Sequence, residues 1–275
     1  RLRTVTGVQT CALPISIPHE GMISPPREGI MKLASYIRVA FATTFNIILN
    51  ALTLGRYVWL EGRVRNGVFR NWARRFRYTP PNFVQPTTEA EIIGLVKNSK
   101  RLRVFGSAHS FNRGVVAEDT LISLDRYSGV IWKNPEKKQL AVKAGTRVRD
   151  VVAALLDEGL AFAAQPSHDA QSIAGILSTD VHGTGSNWGF VSESVVKLKL
   201  VDGKGEIFEC RPTDDLFRAA IGGVGAVGII LEVVVQGVDR FNVEQKTEIS
   251  DLSFVENNLE RLLQENDAPA GTSRL

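Results

Sequence analysis

The chain has 275 residues with 44% hydrophobic and 23% charged positions, enough apolar material for one large or two ordinary domains with a packed core. The net charge of +4 excludes a strongly basic nucleic-acid binder, since much of it sits in one run: Arg63, Arg65, Arg70, Arg74, Arg75 and Arg77. Two cysteines, Cys11 and Cys210, offer no zinc spacing and no disulfide framework.

At the start, Val5–Ser16 (VTGVQTCALPIS) resembles the conceptual translation of a sequencing-adapter oligonucleotide, and residues 1–16 are set aside from fold reasoning. The stretch 34–60 is moderately apolar. Its cleanest part, 39–54, is short of the ~20 residues a membrane span needs. Two readings of residues 17–77 stay open: a helical segment at a membrane surface, with the arginines toward anionic lipid, or an amphipathic helix packed on the main domain. Either places the rest of the chain in the cytoplasm.

The remainder reads as α+β. A short strand over Phe83–Gln85 ends at Pro86, and Thr88 with Glu91 has capping-box spacing for a helix through Val96. Strands are expected at Leu102–Phe105, Leu121–Leu124 and Leu140–Lys143. Val148, Val151, Val152, Leu155 and Leu156 recur at helical spacing, with Gly159 beyond the end. Val195–Val201 and Ile207–Glu209 form a hairpin about Asp202-Gly203. Asp214 or Asp215 caps a helix to Ile221, Ile229–Val235 is a strand, and Asp251–Gln264 a final amphipathic helix.

Two glycine-rich loops carry the chemistry. In Gly106-Ser-Ala-His109-Ser-Phe-Asn112 a strand opens into small residues whose backbone N–H groups can converge on an anion. Ser172–Gly185, ending His182-Gly183-Thr-Gly185, offers a second such surface. The GxGxxG run Gly223–Gly228 follows a helix and opens a strand, the reverse of a dinucleotide fingerprint, so no Rossmann site is expected. His109, His168 and His182 lack metal-ligand spacing, and no metal site is expected.

Taken in order, Thr79–Glu89, Arg103–Asn112, Val142–Gly145, Ser172–Gly185 and Gly222–Val235 resemble the FAD-binding domain of the vanillyl-alcohol-oxidase (PCMH-type) superfamily. The nearest branch is that of the sugar-1,4-lactone and alditol oxidases. The resemblance implies two small α/β subdomains over 78–240, holding FAD, with a truncated substrate-binding domain beginning at 241–275. It implies that Gly106, Ser107, Ala108, His109, Ser110 and Phe111 line the pyrophosphate and flavin. Ser172, Gly175, Thr179, His182, Gly183 and Gly185 would form a second wall, and Ile229 or Ile230 would meet the adenine. It gives His109 the role of covalent anchor on the flavin 8α carbon, for which a neutral imidazole is a fitting nucleophile.

The implied reaction is hydride transfer from a sugar-like CH–OH group to the flavin. The implied partner is thus a small sugar-like molecule rather than nucleic acid, and oligomeric state is not implied. Asp180 departs from the family pattern, where a small residue stands. The groups that deprotonate the substrate are expected in a missing C-terminal region, so the 275 residues alone should turn over negligibly. Two rival readings remain: a flavin reductase of the peptidoglycan-precursor type, and an inactive membrane-associated module of the same fold.

Overall fold

The computed structural model describes residues 63–166, 168–183, 189–242 and 252–265. The apolar stretch 34–60 and the adapter-like segment therefore lie outside the described residues. Among those described, no helix is long and apolar enough to cross a membrane.

Residues 63–77, expected to be helical, are instead β-structure. Strands β1 (Arg63–Arg65), β2 (Val68–Arg70) and β3 (Arg77–Tyr78) pair antiparallel in that order. The cause is local: Asn66 and Gly67 both take positive φ, 50° and 75°, the two-residue turn that Asn-Gly favours between alternating residues. Phe69 is fully buried against Phe105 and Tyr78, while Arg65, Arg70, Arg74, Arg75 and Arg77 are exposed.

Next comes a parallel three-stranded sheet, ordered β4 (Asn82–Val84), β6 (Thr120–Ser123), β5 (Leu102–Phe105). Helix α1 (Glu89–Asn98) connects β4 to β5 and starts with the expected capping box: Glu91 N donates to Thr88 Oγ1 (3.2 Å), and Thr88 N to Glu91 Oε2 (3.3 Å). The central strand β6 is buried throughout, as a covered parallel strand must be.

A five-stranded antiparallel sheet follows, ordered β11 (Ile207–Cys210), β10 (Val195–Val201), β12 (Ile229–Gln236), β8 (Gln139–Lys143), β7 (Val130–Asn134). The edge strand β7 was not expected; its Val-Ile-Trp run is solvent-facing and so lacks alternation. Helices α2 (Val148–Leu156), α3 (Ile173–Ser178) and α4 (Asp215–Ala220) pack on this sheet, with β9 (Leu160–Ala161) and β13 (Val238–Asp239) paired beside it. One continuous core joins the two expected subdomains: Ile92 and Val96 of α1 share it with Leu155 of α2, Leu177 of α3 and Val233 of β12. Helix α5 (Leu252–Glu265) leaves Leu252, Phe254 and Leu259 exposed.

Candidate functional site

Strand β5 ends in the buried Phe105 and releases the first glycine-rich loop beside the second. The two approach as closely as a glycine permits: a Cβ on Gly106 would stand 2.0 Å from Ser172 Oγ. Ser172 is itself engaged as the N-cap of α3, accepting from Gly175 N at 3.2 Å.

A buried arginine ties this junction together. Arg147 donates to Ser107 Oγ (2.6 Å) and to Asp125 Oδ1 (2.7 Å), and its backbone bridges that of Ser172. Ser107 Oγ in turn donates to the carbonyl of Ala170. A guanidinium is rarely buried without such partners, because the desolvation of its charge must be offset. Sequence reasoning passed over Arg147 as an ordinary helix-start residue. The only signal was a charge at the head of an apolar helix face, which is too common to single out.

From the other side the N-terminal sheet clasps the same loop. Trp72 N donates to Ala108 O (2.9 Å), and the buried Asn71 donates to Ser110 O (3.1 Å) while accepting from Phe76 N. Ala108 sits at φ 53°, the kink that brings His109 toward the aromatic side of the loop. The His109 ring meets His168 at 4.8 Å and Trp72 at 5.3 Å between centroids.

Between these loops and the start of β12 lies a cleft of about 520 Å³. Gly106, Ser107, Ala108, His109, Ser110, Ser172, Gly175, Thr179, Ile229 and Ile230 line it. Phe111 is 62% exposed and turns to Trp72 instead. His182 and Gly183 lie outside the lining: the His182 ring packs on Phe190, with Nδ1 2.7 Å from Gly183 O. Gly185 falls outside the described residues.

Lys100, Arg103, Asn112 and Val224 also line the cleft and were not anticipated as site residues. Asp202 lines the cleft as well. Backbone amides, first that of Glu206, hold its carboxyl below the usual carboxylate range, so its charge is absorbed by its own turn. Asp180 does not line the cleft; it takes φ 47° and accepts from Ser192 Oγ at 2.7 Å, which turns its charge aside. The run Gly223–Gly228 follows α4 and opens β12, in the order that excludes a Rossmann turn. Among the described residues, no cluster of three or more His, Cys, Asp or Glu is placed to hold a metal.

Residues 80–211, which contain both loops, match the family model described as FAD binding domain. The chain belongs to the PCMH-type FAD-binding superfamily, in its sugar-1,4-lactone oxidase branch. It is 31% identical over 207 residues to the D-arabinono-1,4-lactone oxidase of Kluyveromyces lactis, covering 72% of this chain and 39% of that protein. It is 34% identical over 202 residues to the mitochondrial L-galactono-1,4-lactone dehydrogenase of Arabidopsis thaliana (71% and 33%). With the L-gulonolactone oxidase of Bos taurus the identity is 30% over 205 residues (72% and 47%). The chain thus spans between a third and a half of the length of these relatives.

In fold it is similar to Phl p 4.0202, a glucose dehydrogenase, with a TM-score of 0.51 and 22% identity over 57% of this chain and 34% of that one. The cleft of this PCMH-type domain suits its cofactor. Its walls carry small side chains where two loops meet, two cations suit a diphosphate, and the apolar β12 start suits a flat ring.

Proposed function

We propose that the whole protein is an FAD-dependent oxidoreductase that oxidises a sugar-derived lactone or polyol, with FAD joined covalently to His109. The cleft carries this reading: the loops Gly106–Asn112 and Ser172–Gly185, which contribute to its lining, fall within residues 80–211, and relatives named for oxidising sugar lactones match the same chain. Those names favour a lactone oxidase over a peptidoglycan-precursor reductase or an inactive module.

Bound FAD supplies the acceptor for a hydride leaving a carbon that bears a hydroxyl. The chain's own residues would do the rest. Ser107 and Ser110, with the backbone of their loop, would face the diphosphate, and Lys100 and Arg103 would neutralise it. Ser172, Gly175 and Thr179 would form the opposite wall, and Ile229 and Ile230 would receive the adenine. At His109 an imidazole nitrogen would replace a hydrogen of the flavin's 8-methyl group. Dioxygen would take up the two electrons and two protons released, giving peroxide. The packing of His109 against Trp72 and His168 supports this role, because a ring held on two sides keeps its attacking nitrogen in place.

The test is acid precipitation of the FAD-loaded chain. A washed pellet that fluoresces for the native sequence and not for His109→Ala is the expected result. A fluorescent His109→Ala pellet would reassign the anchor. For the reaction, D-arabinono-1,4-lactone added without oxygen to the full gene product should bleach its flavin, and an unbleached flavin would remove the lactone class.

A further inference from the structure

We propose that the outer face of the sheet β1–β3, with Trp72 and Phe111 beside it, is the docking surface for an acidic electron-carrier protein, an inference that rests on the FAD reading above. The register of the sheet is the first observation. Arg70 stands opposite Arg77, and Arg63 opposite Arg70, so three strands place arginine in one cross-strand row. The adjacent row, Val64, Phe69 and Tyr78, belongs to the other face: Phe69 is fully buried, and Val64 and Tyr78 pack with it. Like charges directly opposite one another destabilise a sheet. An anionic surface laid over the row would turn that repulsion into attraction.

Acid is scarce along this part of the chain. Residues 62–88 contain no Asp or Glu. The next two acids are engaged elsewhere: Glu89 pairs with Lys199 (2.8 Å), and Glu91 Oε2 accepts from Thr87 N (2.6 Å) and Thr88 N (3.3 Å). Arg74 and Arg75, in the connection to β3, are exposed. So is Arg113, whose guanidinium lies 5.8 Å from the centre of the Phe76 ring.

Rings lead from His109 to this surface. The centroid distance is 5.3 Å from His109 to Trp72 and 6.2 Å from Trp72 to Phe111, and Trp72 and Phe111 both reach solvent. Trp72 is two residues from Arg70 and from Arg74, and Phe111 is two residues from Arg113. Exposed aromatic rings set among arginines have the composition of a protein contact. A lipid surface would need the charge alone; the rings running to His109 favour a redox partner. A flavin joined at His109 would have that imidazole as its link to those rings, and electron transfer falls steeply with distance. Two carriers in succession would each take one of the two electrons of a turnover, and the two protons would pass to water. The arginines would steer a carrier of opposite charge to the face.

The test uses the full FAD-loaded chain, reduced with stoichiometric dithionite without oxygen. It is then mixed with oxidised plastocyanin, an acidic carrier, or with cytochrome c, a basic one, and flavin absorbance is followed in stopped flow. The native chain should reduce plastocyanin faster at low salt than at high salt. Arg70→Gln combined with Arg77→Gln should slow plastocyanin about three- to tenfold at low salt and leave cytochrome c unslowed. The melting temperature of that variant should not fall, since two like charges are removed. Phe111→Ala should slow both carriers, because the ring path serves either. An equal loss with both carriers in the arginine variant, or a plastocyanin rate indifferent to salt, would overturn the acidic partner. A native rate for Phe111→Ala would overturn the ring path. Binding to phosphatidylserine vesicles that the arginine variant loses while its plastocyanin rate stays native would give the face to lipid instead. A chain that takes up no FAD would remove the FAD reading and this inference with it.

Discussion

Two of the stretches that line the cleft are built on opposite principles. The wall at Gly106–Ser110 is held by polar side chains: Ser107, Arg147 and Ser172 are buried, and Asn71 reaches in from the connection between β2 and β3. The wall at Gly222–Gly228 is shaped by backbone alone, with four residues at positive φ and hydrogen bonds from main chain to main chain. A wall tied by side chains fails when a partner is deleted. A wall made by backbone fails when a Cβ is added.

The most damaging way to test that contrast is Gly228→Ala. At φ 142° an L-residue is disfavoured outright, and the new Cβ would stand 2.2 Å from Val201 O, a backbone atom of the paired strand β10. Since β10 cannot retreat without opening the β10–β12 ladder, the expected cost is about 4 kcal/mol, in the exceptional range for single substitutions. The melting temperature should fall by about 10 °C. A fall of only a degree or two would mean the turn is not fixed by that contact.

Arg147→Met probes the other wall. It keeps most of the volume and removes the bonds donated to Asp125 and Ser107, leaving those two without the guanidinium. Breaking a fully buried pair costs about 3–5 kcal/mol. Here the Asp125 side chain is 36% exposed and water recovers part of that, so about 2 kcal/mol is expected, together with weaker FAD binding as the first loop loosens. Unchanged FAD affinity at reduced stability would show that Arg147 supports the core and not the loop.

The two principles were unequally legible in the sequence. The glycines of Gly106, Ser172–Gly185 and Gly222–Gly228 are visible as letters, and the strands and capping box around them follow from periodicity and spacing. The polar ties are not visible. Arg147, Asn71 and Asp125 reach their partners only after chain separations of 22 to 40 residues are folded together, and nothing local in their neighbourhoods marks them. The misreading of residues 63–77 has a different origin: the arginine run drew attention to charge, whereas Asn66-Gly67 between Val64 and Val68 was the informative signal. His182 illustrates a third limit, since the order of motifs could place it near the second loop but could not say that its ring turns to Phe190.

The smallest effect is also the most discriminating. Gly225→Ala lies three residues from Gly228, at φ 77°, and its new Cβ would find nothing nearer than Gly228 O at 3.9 Å, an ordinary contact. Only the left-handed conformation is then penalised, by about 1 kcal/mol, partly offset because alanine restricts the unfolded chain. A melting temperature lower by about 1–2 °C is expected, measured beside Gly228→Ala under the same conditions. If the two alanines cost the same, conformation alone shapes the turn and the close approach to Val201 is incidental. If they differ as expected, packing against β10 fixes where β12 begins, and with it where Ile229 and Ile230 present their backbone to the cleft.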